Sequence, residues 1–161
     1  MTPEELVRLA MEKSSEIIRE EILATLTRLG EECITRIRLR GSEESWIDQT
    51  GNLRSSIGYA VFDYGREVIG SAFESVSGPL GNGNAGSASG KAYVAELAQK
   101  YADTYALAVV AGMDYASYVE AIENKDVLAS TEIWAKERLQ KYLEDAVERA
   151  TARISDYIDS L

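Results

Sequence analysis

The sequence predicts an α+β fold in which a small, curved antiparallel sheet is covered by a long N-terminal helix and a long C-terminal helix. Three patterns predict it. Apolar residues recur at helical spacing from Leu6 to Ile37, an alternating run fills residues 56–64, and a second helical stripe runs from Leu139 to Leu161. A chain of 161 residues, 45% of them hydrophobic, has enough material to bury a core as a single domain spanning 1–161.

The first helix opens on a capping signature: Thr2 can cap, Pro3 suits the first helical position, and Glu5 stands three residues after Thr2. Leu6, Ala10, Ile18, Ile22, Leu26, Leu29, Cys33 and Ile37 then share one face. Gly30 interrupts this face, either as a kink or as a weak point costing roughly 1 kcal/mol relative to alanine. Unbroken to about Arg40, the helix would be roughly 55 Å long. That exceeds a compact domain of this size, so part of it is expected to lean on a neighbouring subunit. Arg36, Arg38 and Arg40 suit the negative end of the helix dipole, with a phosphate-binding patch as the lesser alternative. The lone Cys33 reads as a small core residue and cannot form an internal disulfide.

Gly41 to Gln49 is polar and acidic around Trp46 and Ile47. Trp46 there is either a plug over the domain's own core or an interface anchor. In Thr50-Gly51-Asn52-Leu53-Arg54-Ser55-Ser56-Ile57, Thr50 and Gly51 can turn the chain, Leu53 can drop into the core, and Arg54 and Ser55 stay at the rim. Residues 56–64 alternate as a strand, Tyr64-Gly65-Arg66 turns, and residues 67–75 return as the second strand of a hairpin. Residues 77–90 hold five glycines and little bulk, and are expected to form a mobile loop. Residues 91–104 read as a helix with Tyr93, Val94, Leu97, Ala98 and Tyr101 inward. Residues 105–112 read as a buried strand, and residues 114–122 as an irregular turn or short helix. Ser130 or Thr131 caps the last helix, whose stripe of Leu139, Leu143, Ala146, Ala150, Ile154, Tyr157 and Leu161 reaches the final residue and predicts a docked C-terminus.

Composition removes several kinds of chemistry. The chain has no histidine, which excludes Ser-His and Cys-His nucleophile pairs and histidine metal ligation. A net charge of −10 argues against wrapping nucleic acid, whose affinity comes largely from phosphate neutralisation, so no sequence-specific nucleic-acid binding is expected. Most of that excess lies in residues 41–130, with twelve acids and five bases, which can repel passing DNA, face a basic partner or serve solubility. No apolar run approaches the length of a membrane span, and the acidic start does not read as a signal peptide.

Two motif-like features invite a catalytic reading. Gly81-Asn82-Gly83-Asn84-Ala85-Gly86 spells G-x-G-x-x-G, but polar Ser87-Ala88-Ser89-Gly90 separates it from the expected helix at Lys91, and the preceding strand belongs to a hairpin. Asp114, Glu120, Glu123 and Asp126 cluster without the alternation of a calcium loop. No cofactor and no metal is therefore expected. A nucleotide- or metal-dependent enzyme built on these features stands as the alternative, beside a soluble acidic adaptor for a basic protein.

The segment from Thr50 to Ile57, followed later by Tyr115-Ala116-Ser117-Tyr118-Val119-Glu120, resembles the tail-completion (neck) proteins of long-tailed bacteriophages. That family runs helix, "TG-x-L-x-x-SI", strand hairpin, variable loop, "YA-x-YVE" and last helix. The resemblance implies a non-enzymatic structural protein of a phage or prophage virion, assembled in the bacterial host cytoplasm. It implies self-association into a ring at the head–tail joint, and contacts with connector or head-completion and tail proteins. It marks Thr50, Gly51, Leu53, Arg54, Tyr115, Tyr118 and Glu120, with Trp46 beside them, as assembly candidates. Ala121-Ile122-Glu123 departs from the aromatic, Gly and Thr that often follow "YVE".

Overall fold

A computed structural model describes residues 1–39, 51–71, 73–113 and 128–161. Helix α1 spans Pro3–Arg38, α2 spans Asn52–Ser55, and strands β1 and β2 span Ile57–Asp63 and Arg66–Gly70. Helix α3 spans Asn84–Leu97 and continues as a 3-10 turn over Ala98–Tyr101. Strand β3 spans Tyr105–Ala111, and the last helix, here α4, spans Ala129–Asp159. The fold is α+β, with a three-stranded antiparallel sheet of order β2-β1-β3 between long N- and C-terminal helices.

The start of α1 is set by its sequence. The Thr2 hydroxyl accepts from the Glu5 N–H at 3.2 Å, and the Glu5 carboxylate accepts from the Thr2 N–H at 2.8 Å, closing a capping box ahead of Pro3. The helix passes through Gly30 without a break, and the absent Cβ lets the Tyr59 ring lie directly on the helix. Leu26, Ile34 and Ile37 of α1 pack on Ile57, Tyr59 and Val61 of β1. Cys33 sits fully buried, as expected of a core residue, and burial pushes its thiol up to about 11.

The opposite face of the sheet is covered by α3, where Val94 and Leu97 pack with Phe62, Phe73 and Val110. Strand β1 is thus covered on both faces and buried at six of its seven positions. Its ladder with β3 runs unbroken from Ile57 opposite Ala111 to Asp63 opposite Tyr105, while the ladder with β2 carries an irregularity at Val61/Phe62.

Helix α4 runs antiparallel along α1. Arg153 bonds Glu20 and Glu21 at 2.7 and 3.0 Å, Arg149 bonds Glu21 at 2.9 Å, and the Tyr142 hydroxyl donates to Glu32 at 2.6 Å. Arg36 lies 5.4 Å from the Trp134 ring centroid, one step further along. These side chains leave α1 opposite the residues that meet the sheet, so α1 is sandwiched between sheet and α4.

The hydrogen bond from Arg149, aided by Arg153, holds the Glu21 carboxyl below its ordinary 4.5. A depressed folded pKa contributes stability that is present above the unfolded value and lost as pH falls through the folded one. Melting temperature should therefore be flat above about pH 5 and fall below about pH 4, and Glu21→Gln should flatten that fall. Melts from pH 3 to 7 check this; an acid slope identical to wild type would show that Glu21 is not linked to folding.

Several expectations are corrected. Residues 77–90 are not a loop throughout: α3 starts at Asn84, seven residues before the expected helix. The second strand ends at Gly70 rather than near Ser75, and Phe73 at φ 48 turns into the core instead. Tyr93 and Tyr101 are 40% and 36% exposed, because Gly86, Ser87, Gly90, Val94 and Leu97 take the inward face of α3, although the Tyr101 ring still stacks on Phe62. The C-terminus is docked only in part. Ala146 and Ala150 are buried against α1 and Ile154 and Tyr157 are half-buried, but the final Leu161 is 50% exposed.

Candidate functional site

Residues 51–56 form a junction that ties four parts of the chain together. Gly51 adopts φ 78, and any Cβ there would overlap the Val76 carbonyl. The Val76 N–H donates to Ser55 Oγ at 2.7 Å, so the loop at 73–78 is strapped to α2. Asn52 Oδ1 accepts from the Gly86 N–H at 3.1 Å, holding the first turn of α3. Arg54 donates to the Arg38 carbonyl at 2.8 Å, satisfying the C-terminal end of α1. The Ser56 carbonyl accepts from the Gly112 N–H at 3.1 Å, fixing the end of β3. Leu53 is 1% exposed and anchors the turn in the core.

The glycine-rich segment belongs to this same junction. The helix does begin inside Gly81-Asn82-Gly83-Asn84-Ala85-Gly86, so the separation expected from the sequence is overturned. Several of its amide groups are nevertheless bonded within the chain. The Asn84 N–H donates to Asn82 Oδ1 at 3.1 Å, the Gly86 N–H to Asn52, and the Ser87 N–H to the Gly83 carbonyl at 3.1 Å. A Cβ on Gly86 would overlap the Asn52 carbonyl, so the glycine serves close backbone packing of α2 on the first turn of α3. The Ser87 hydroxyl donates to the Phe73 carbonyl, closing the far side.

The assembly candidates therefore divide. Gly51, Leu53 and Arg54 are brought together in the junction. Thr50, Trp46, Tyr115, Tyr118 and Glu120 lie outside the described residues, as do Asp114, Glu123 and Asp126 of the acidic cluster. Among the described residues no group of three or more His, Cys, Asp or Glu is arranged to hold a metal ion. No described helix is long and apolar enough to cross a membrane. Arg38 donates to the Ile57 carbonyl at 2.8 Å, and its partial burial lowers its pKa. Arg36 is stacked over Trp134, so both arginines serve internal contacts, and Arg40 lies outside the described residues.

The sequence reading missed a second feature. A cavity of about 550 Å³ opens along one flank of α1, between β3 and α4. Ile22, Leu26 and Leu29 form its floor, Leu107 and Val109 one wall, and Leu139 and Leu143 the other. Glu132 and Lys136 stand on the α4 wall and neutralise each other at 2.7 Å. The signal was present as the uncharged run Tyr105–Ala111, which reads identically for a central or an edge strand.

Comparison of the chain with known protein families, with curated proteins and with solved structures finds no match.

Proposed function

We propose that this chain is a structural subunit of a long-tailed phage or prophage particle, joining tail to head by self-assembly rather than by catalysis. The observation that carries the reading is the order of its two motifs, "TG-x-L-x-x-SI" and "YA-x-YVE", around a helix, a hairpin and a last helix. The junction at Gly51–Ser56 gives the first motif a physical role: it locks the end of α1 to the sheet and to α3, so that the long helix is presented rigidly. The N-terminal half of α1, with Val7 and Met11 58% and 66% exposed, is then a surface free to meet connector, tail or sister subunits. A head-to-tail contact whose rotation closes gives a ring, and a sixfold-related ring fits this reading.

The test is genetic and structural. A phage lacking the gene should make heads and tails that fail to join, and the protein should be found in purified particles. Joined particles made without it would overturn the proposal and favour the acidic adaptor.

The rival enzyme reading has its own measurement. Because α2 packs on Gly86 and Asn52 takes its N–H, ATP, GTP and NAD with magnesium should leave the melting temperature unchanged. A ligand at 100 times its Kd would add about 2.7 kcal/mol, so a reproducible rise with any of them would restore the nucleotide reading.

A further inference from the structure

The two outer strands of the sheet are not equivalent. Strand β3 has side chains packed on both faces: Tyr105, Leu107, Val109 and Ala111 toward α1, and Ala106, Ala108 and Val110 toward α3. Strand β1 has the same two covers and is buried at six positions, whereas β3 is buried only at Val110. The difference is the outer edge of β3, along which no described strand pairs. Natural edge strands are blunted by charge, proline, bulges or shortness. Tyr-Ala-Leu-Ala-Val-Val-Ala has no charge and no proline, spans seven residues, and holds an unbroken register with β1. The apolar flank of α1 lies open beside it.

We propose that β3 is the dimerisation edge of this protein, pairing antiparallel with β3 of a second copy about a two-fold axis. Three observations choose a second copy over another partner. The first is side-chain fit. With the axis at Ala108, Tyr105 stands opposite Ala111 of the second copy, Ala106 opposite Val110, Leu107 opposite Val109, and Ala108 opposite itself. Large groups thus meet small or medium ones on both faces. The second is spacing. Helix α1 lies over the β1–β3 pair. With strands about 4.8 Å apart, the two α1 axes come to lie about 10 Å apart, within the usual range for packed helices. The open flanks of Ile22, Leu26 and Leu29 then close on one another. The third is charge. Two copies of a −10 chain repel over most of their surface, but β3 carries no charge and the Glu132–Lys136 pair leaves the cavity wall neutral. The contact is two-fold and does not rest on the neck reading, whose ring would use other surfaces.

Sedimentation equilibrium at tens of micromolar should give twice the chain mass of 17.7 kDa. Leu107→Lys should raise the dissociation constant about tenfold or more, because it sets a charge against the same face of the second copy. Ala108→Cys should give a disulfide-linked dimer on oxidation, since a directly opposed antiparallel pair lies within disulfide reach. Tyr64→Cys, in the exposed β1–β2 turn, should not. Hydrogen exchange of the unaltered protein guards against misfolded variants: β3 amides should exchange faster on dilution through the transition. A folded protein that stays monomeric, a dimer that Ala108→Cys does not cross-link, β3 exchange independent of concentration, or an open series of larger masses would each overturn the proposal.

Discussion

Substituting Gly51 by alanine is expected to cost about 2–5 kcal/mol. Two terms add. A left-handed backbone costs an ordinary L-residue about 1–2 kcal/mol, and overpacking a tight site costs about 1–3. Both apply here, because Gly51 sits at φ 78 and its missing Cβ would overlap the Val76 carbonyl, a backbone atom with little room to retreat. That carbonyl is itself bonded by the Ser55 hydroxyl at 3.2 Å, and the Val76 N–H holds Ser55 Oγ, so a shift of Val76 loosens α2 from the loop. Melting temperature should drop by roughly 4–20 °C for a domain of this size. Gly70→Ala is the control: its nearest obstacle is the Glu67 carboxylate, the mobile end of a side chain, and the loss should stay within about 1 kcal/mol. Equal melting temperatures for the two variants would mean that the junction does not hold the fold together.

This dependence on absent side chains explains where the sequence was legible and where it was not. The capping box of α1, the hairpin turn at Tyr64-Gly65 and the two long helices rest on local rules of cap and period, and each could be read directly. The start of α3 could not. Five glycines between 77 and 90 look like a segment with nothing to bury, because composition counts bulk. In the folded chain Gly86 and Gly90 gain their contacts through backbone, against Asn52 and against Ser56 and Phe73. Such contacts join residues 17 to 34 positions apart and leave no periodic trace. The same limit hid the role of Asn52, whose side chain holds the first turn of a different helix. The docking of the final turn was realised only in part, for the opposite reason. A stripe at helical spacing shows which face is apolar, but not how closely its partner approaches. Helix α4 meets α1 through Ala146 and Ala150, and past Ile154 the cover thins.

The largest core effect should come from Phe62→Ala, with a loss of about 3–5 kcal/mol. Phe62 is fully buried on the α3 side of β1 and stacks on Tyr101 with ring centroids 6.0 Å apart. Its neighbours Val94 and Leu97 come from a helix that begins among glycines, and the 3-10 turn that follows it has no buried residue. Removing the ring leaves a cavity between two rigid elements, and α3 has few other large side chains with which to close it. Phe62→Leu keeps most of the volume and should cost less than about 1.5 kcal/mol. Urea unfolding followed by circular dichroism separates the two, with the slope unchanged if only stability is lost. Hydrogen exchange adds a spatial test: α3 amides should lose protection in Phe62→Ala before those of α1, whose packing on Leu53, Ile57 and Tyr59 forms the other cluster. A loss under about 1 kcal/mol would mean that α3 is not held to the sheet by this ring. The hydrogen bonds from Gly86 to Asn52 and from Ser87 to Phe73 would then carry its attachment alone.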